Sequence, residues 1–137
     1  GVVRDRTTRL LWQQSGSPYP INWYQAADYV AALNQDALAG RSGWRLPTLS
    51  ELLSLISESP QGADFCIEPR FDPRQKWLWS CDRRSFTTAW YVSVEMGYAA
   101  WQDFTCFYHV RAVCSENRTG TRSDVRSRAS KAANLDF

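Results

Sequence analysis

The chain has 137 residues, a formal net charge of +2 and an apolar fraction of 44%, with seven Trp, six Tyr and six Phe. That length bounds it to one domain plus a tail, and large aromatics supply enough buried area for a core without a structural metal. No apolar run approaches the ~18 residues of a membrane span, and residues 1–114 balance eleven basic against eleven acidic side chains, which argues against nucleic acid as a partner.

In chain order, Val2-Val3-Arg4-Asp5 and Leu10-Leu11-Trp12 predict two short strands around the polar turn Arg6-Thr7-Thr8-Arg9. No signal peptide is visible, and the chain starts Gly1-Val2-Val3 without an initiator Met, as a processed or trimmed form does. Residues 15–20 carry Gly16, Pro18 and Pro20 and read as a loop. Asn22 is a good N-cap, with Gln25 placed to complete a capping box. The helix it opens is predicted from Trp23 to about Leu33, with Trp23, Ala26, Ala27, Val30, Ala31 and Leu33 facing inward.

Gly43-Trp44-Arg45-Leu46-Pro47-Thr48-Leu49-Ser50-Glu51-Leu52 is the most informative stretch. Pro47 keeps Leu46 out of helix. Thr48 and Glu51 form a second capping box, so an extended segment feeds a short helix from Leu49 to about Ser57. Its inward residues are Leu49, Leu52, Leu53 and Ile56. Residues 58–87, with Pro60, Gly62, Pro69 and Pro73, read as a long loop of the kind that is functional or stapled, with a short strand at Trp77–Ser80. A meander follows: Ala89–Met96, a turn at Gly97, Tyr98–Phe104, and a third strand over His109–Ser115.

The four cysteines, Cys66, Cys81, Cys106 and Cys114, lack metal or redox spacing, and the single His109 cannot complete a metal cluster. An even count in a small domain suits two disulfides and an oxidising compartment; the alternative is four buried thiols. Past Cys114 the chain becomes polar. Such a tail is ordered only by a partner, and Arg122, Arg126, Arg128, Leu135 and Phe137 are its expected contacts to a neighbouring chain or a second copy. The organisation is thus a domain over 1–115 and a tail over 116–137. Asn117-Arg118-Thr119 is a glycosylation sequon, meaningful only in a eukaryotic secretory setting.

The landmarks Gly1-Val2-Val3-x-Asp5, Leu10-Leu11-Trp12-Gln13, Trp23-x-x-Ala26-x-x-Tyr29-Val30 with Leu33-Asn34, the Gly43–Leu52 segment, Trp79-Ser80, Ala89-Trp90-Tyr91-Val92 and Val110-Arg111-Ala112-Val113 closely resemble the Legionella collagen-like C-terminal domain family of bacterial surface and secreted proteins. The resemblance covers about residues 1–114. Trp101-Gln102-Asp103-Phe104-Thr105-Cys106 and Cys114-Ser115-Glu116 look like the closing segment of C-type lectin domains, and the Arg45-Leu46-Pro47-Thr48 region looks like the formylglycine-generating branch of that superfold. The implied fold is α+β and C-type-lectin-like: two helices on small antiparallel sheets, a long loop before the closing meander, and termini close together. The lectin pattern pairs the last cysteine with one in the first helix, where this chain has Val30. Sequence proximity then favours Cys66–Cys81 and Cys106–Cys114, loops worth about 2.5–3 kcal/mol each.

Three kinds of site follow from this reading. Glu68-Pro69-Arg70 puts a cation where lectins supply a calcium-ligating carbonyl, so no metal and no cofactor are expected. One His without an ordered Ser, Asp or Cys partner predicts no enzyme activity. Arg70, Arg74, Lys76, Arg83 and Arg84 share the long loop with Trp77 and Trp79, a composition that suits sulfate or carboxylate groups on a glycan. Local Arg–Asp pairing with core tryptophans is the competing account. The expected function is a non-catalytic extracellular, cell-surface or periplasmic subunit of a larger assembly that packs through its domain and tail. The alternative is an adhesin-type module that binds acidic or sulfated glycans through residues 66–84.

Overall fold

The computed structural model describes residues 1–61, 65–67 and 70–116. In chain order the elements are β1 (Val2–Asp5), β2 (Leu10–Gln13), α1 (Trp23–Gln35), a 3-10 turn (Leu38–Gly40), α2 (Leu49–Leu53), β3 (Ile56–Gln61), β4 (Phe65–Ile67), β5 (Trp77–Arg83), β6 (Thr88–Ser93), β7 (Tyr98–Asp103) and β8 (Val113–Ser115). The fold is α+β. One antiparallel sheet has the order β1-β2-β8, a second has β5-β6-β7, and β3 pairs with β4. Leu11 lies opposite Cys114 in the first sheet, so the start and end of the domain meet there, as expected.

Both capping boxes form. Asn22 accepts from the Gln25 amide at 2.8 Å while the Gln25 side chain accepts from the Asn22 amide at 2.9 Å. Thr48 and Glu51 exchange the same pair of bonds at 3.1 and 2.9 Å. Glu51 is also chelated by Arg45 through bonds of 2.7 and 2.6 Å, and Arg45 in turn bridges to Val113. Burial raises the Glu51 carboxyl, but the Arg45 fork and the Thr48 cap outweigh it and hold the group below its ordinary 4.5. Stability from Glu51 is therefore complete above about pH 4.5 and is lost as pH falls through the lower native value. Glu51→Gln is expected to cost about 1 kcal/mol at pH 7 and less as pH falls, read from urea midpoints at pH 7 and pH 3. An equal penalty at both pH values contradicts the ionic role.

Several sequence expectations need correction. On α1 the buried residues are Ala26 and Val30, with Trp23, Tyr29 and Leu33 packed against the core, whereas Ala27 and Ala31 are exposed. Tyr29 takes a place in the apolar stripe because its hydroxyl accepts from Gln13 Nε2 at 2.7 Å. Helix α2 ends at Leu53, which is exposed, and Leu55 is buried instead because the chain turns into β3. The stretch 58–87 contains strands rather than one loop. Its β5 completes the sheet of β6 and β7, and the predicted third strand goes elsewhere. From His109 to Ser115 the chain makes one parallel bridge to Leu78, then one to Arg45, then joins β2. It is a buried crossing between the two sheets.

Two apolar clusters flank that crossing. One contains Leu11, Ala26, Trp44, Trp79 and Val110; the other contains Trp12, Leu52, Leu78, Val92 and Val113. Arg111 is fully buried between elements of both. Its Nη1 donates to the Gln13 carbonyl at 3.0 Å and to the Gln14 carbonyl, and its Nη2 donates to the Asp72 carbonyl at 3.0 Å. The guanidinium carbon lies 4.7 Å from the Phe71 ring centroid. Burial lowers its pKa to about 10, so it stays a cation at neutral pH.

Cys81, Cys106 and Cys114 are free thiols, which overturns both the Cys106–Cys114 and the Cys66–Cys81 pairings. Cys114 is buried on β8, opposite Leu11, and behaves as a small core residue. Cys81 is on β5, held by its amide to the Pro47 carbonyl at 2.8 Å. The Cys66 side chain lies outside the described part. So does the tail from residue 117, and with it Arg122, Arg126, Arg128, Leu135 and Phe137.

Candidate functional site

The basic residues expected to crowd one loop are separated by β5. Lys76 precedes this strand and Arg83 ends it, about 20 Å apart at strand rise. At the Lys76 end the charges are locally matched. Lys76 Nζ meets Glu95 at 2.9 Å, and Arg74 grips Asp72 at 2.6 Å. The Arg74 fork holds the Asp72 carboxyl down to about 2. Trp77 also lies at this end and is partly exposed. Arg70 is elsewhere again, beside Arg4 and Arg6. Trp79 is core, as the competing account expected.

Arg83 and Arg84 differ from the others. Arg83 is the last residue of β5 and Arg84 is the next in the chain. Arg83 stands 5.3 Å from the Trp23 ring centroid and 5.6 Å from that of Phe104. Arg84 sits 4.0 Å over Trp101. Among the described residues neither guanidinium forms an ion pair with a carboxylate. The nearest acid in sequence, Asp82, is already used: it accepts the first amide of α2, that of Leu49, at 2.6 Å.

The rings beneath them are fixed. Trp23 stacks on Phe104 with centroids 4.4 Å apart, and Tyr24 meets Phe104 edge-on at 5.3 Å. Trp23 Nε1 donates to the Ser80 carbonyl at 2.9 Å. Trp101, under Arg84, is directly opposite Trp90 across β6 and β7, edge to face at 5.1 Å. The hairpin carrying the arginines is pinned by the Arg84 amide to Thr88 at 2.8 Å and by a 2.7 Å contact between the Ser85 and Thr88 hydroxyls. Tyr24, Phe86, Trp101 and Phe107 are all about half exposed or more.

Sequence reasoning located Arg83 and Arg84 but missed Trp23, Tyr24, Trp90, Trp101 and Phe104. One signal was available. Trp90 and Trp101 are equidistant from the tight turn before Tyr98, where Gly97 takes φ 76°, so a hairpin there must put them opposite each other. Trp23 and Tyr24 come from α1, and nothing local ties them to this strand end.

Asp103 accepts from the Thr105 amide and hydroxyl at 2.9 and 2.7 Å, Glu68 lies outside the described residues, and those residues contain no cluster of three metal-ligating side chains. His109 is half-buried, its amide donating to the Trp77 carbonyl at 2.8 Å, and burial with the nearby Arg111 charge lowers its pKa. No helix among the described residues is long and apolar enough to cross a membrane.

A family model for the Lcl C-terminal domain matches residues 1–114. The chain belongs to the Lcl C-terminal domain family. Among curated proteins none is significantly similar to it. The Lcl C-terminal match spans every element from β1 to the second residue of β8, and the arginine–aromatic surface lies wholly within it.

Proposed function

We propose that this Lcl C-terminal domain is a non-catalytic extracytoplasmic binding module that takes acidic or sulfated glycans on the Arg83, Arg84, Trp23 and Trp101 surface. The observation that carries the reading is the pair of arginines held by aromatic rings and not by carboxylates. A guanidinium stacked on a ring keeps its N–H fork available for a sulfate or carboxylate, and the ring edges beside it offer contact to a sugar body. The earlier 66–84 loop is thereby narrowed to its Arg83–Arg84 end. Extracytoplasmic placement is supported by the family, whose resemblance is to surface and secreted proteins.

The finer fold reading belongs here as well. We read the domain as C-type-lectin-like, supported by termini paired in one sheet, two capped helices and a closing hairpin of β6 and β7. Membership of a larger assembly through the 116–137 tail is the second reading; exposed Tyr24 and Trp101 near the two arginines also suit a protein partner.

The experiment is salt elution from a heparin column. Arg83→Gln with Arg84→Gln is expected to abolish retention at physiological salt, whereas Arg74→Gln with Lys76→Gln is expected to change it little. Equal losses from the two pairs would assign retention to net charge and end the proposal.

A further inference from the structure

One edge of the second sheet is open. In the order β5-β6-β7, β7 is terminal, and among the described residues β6 is its one strand partner. The Phe104 amide donates to the Thr87 carbonyl at 2.8 Å, which makes residues 87 and 104 a hydrogen-bonded pair. Antiparallel pairs alternate, so Gln102, Ala100 and Tyr98 also bond to β6, while Asp103, Trp101 and Ala99 turn their N–H and C=O groups outward. Asp103 is already engaged: its amide meets the Gln102 side chain at 3.2 Å, and its carbonyl accepts from the Cys106 amide at 3.0 Å. The outward groups of Ala99 and Trp101 meet no partner among the described residues.

Natural sheets guard their edges with charges, proline or bulges. The strand β1, at the edge of the first sheet, carries Arg4 and Asp5. By contrast, Tyr98-Ala99-Ala100-Trp101-Gln102 holds no charge and no proline, and its register with β6 runs without a shift.

We infer that the β7 edge pairs with the β7 edge of a second copy of this chain, antiparallel, about a two-fold axis at Ala100. In this register Ala99 lies opposite the partner's Trp101, Tyr98 opposite the partner's Gln102, and Ala100 opposite the partner's Ala100. Each Ala99–Trp101 pair exchanges two backbone bonds, and the symmetry makes two such pairs, so all the free groups of Ala99 and Trp101 are used. Ala100 faces its copy at the closer, non-hydrogen-bonded spacing of about 4.5 Å between Cα atoms, which suits a methyl side chain. Each Trp101 ring meets a small Ala99. Asp103 falls opposite the Gly97 turn, outside the ladder. An arbitrary peptide would satisfy the backbone as well, but this edge matches itself in bonding pattern, side-chain size and charge. A six-residue edge belongs to the smallest class of interface, below about 1,200 Å² in total, so the association is weak. Both Arg84–Trp101 pairs then lie on one face of a continuous sheet.

The test is sedimentation equilibrium of the full chain over a wide concentration range. The wild type is expected to dimerise reversibly at high concentration. Tyr98 and Gln102 are about 13 Å apart along one strand, yet they oppose each other across the two-fold. Tyr98→Lys with Gln102→Lys is expected to weaken the dimer about tenfold or more, because lysine then faces lysine at both ends. Tyr98→Lys with Gln102→Glu is expected to restore it, which also shows that the fold tolerates lysine at position 98. A chain that stays monomeric at every concentration, or a dimer indifferent to the arrangement of these charges, overturns the inference. Arg83 and Arg84 are untouched in these variants, so heparin retention and dimerisation can fail separately.

Discussion

Arg111→Met is expected to destabilise the domain by about 3–5 kcal/mol, a large fraction of the stability of any domain this size. Methionine fills much of the volume and removes the buried charge, so the loss does not come from a cavity. It comes from the acceptors left behind. The carbonyls of Gln13, Gln14 and Asp72 converge on this one guanidinium, and no substitution of Arg111 can remove them. Unpaired buried carbonyls cost about 1–3 kcal/mol each before relaxation. The Phe71 ring also loses the cation above it. Arg111→Lys is expected to recover only part, because an ammonium lacks the planar fork that reaches two chain segments at once. The check is the urea midpoint of both variants. A Met variant within 1 kcal/mol of wild type would show that water replaces the guanidinium at those carbonyls.

The second large effect is expected at Trp79. Its side chain is fully buried, its Nε1 donates to the Ile21 carbonyl at 3.0 Å, and Tyr91 and Tyr108 meet it edge-on at 6.5 and 5.1 Å. Trp79→Ala is expected to cost about 3–5 kcal/mol through the cavity left behind. Trp79→Phe keeps an aromatic ring against both tyrosines and is expected to cost about 1–2 kcal/mol, for the orphaned Ile21 carbonyl and the lost ring. Thermal unfolding of the two variants checks the ordering. If Phe is as damaging as Ala, the hydrogen bond to Ile21 and not the packing dominates at this position.

What was legible in the sequence was mostly local. Asn22 with Gln25 and Thr48 with Glu51 announce their helices because a capping box is satisfied within four residues. The β6–β7 hairpin is legible for the same reason, since Gly97 and alternation fix it without help from the rest of the chain. The misplaced pieces depend on partners far away. His109–Arg111 reads as a third hairpin strand by composition, but its bridges and bonds run to Trp77, Leu78 and Trp79, 30 or more residues earlier. Arg111 counts as one more charge until the carbonyls of Gln13, Gln14 and Asp72 are seen around it. The cysteines invite pairing by number alone, whereas Cys114 faces core residues.

The proposed glycan surface shows the same division. Composition marks a basic, tryptophan-containing stretch, and it contains Arg83 and Arg84. It could not tell these two from Arg74 and Lys76, because the distinction lies in which neighbours the fold supplies: Asp72 and Glu95 at one end of β5, Trp23, Phe104 and Trp101 at the other.

The most direct test of the central claim is calorimetric titration of the wild-type domain and of Arg83→Gln/Arg84→Gln with a sulfated heparin hexasaccharide and its desulfated counterpart. The proposal predicts saturable binding of the sulfated sugar to the wild type alone, weakening with salt as bound cations are displaced from the anion. Equal binding by both proteins, or no binding of the sulfated sugar to the wild type at low salt, contradicts it.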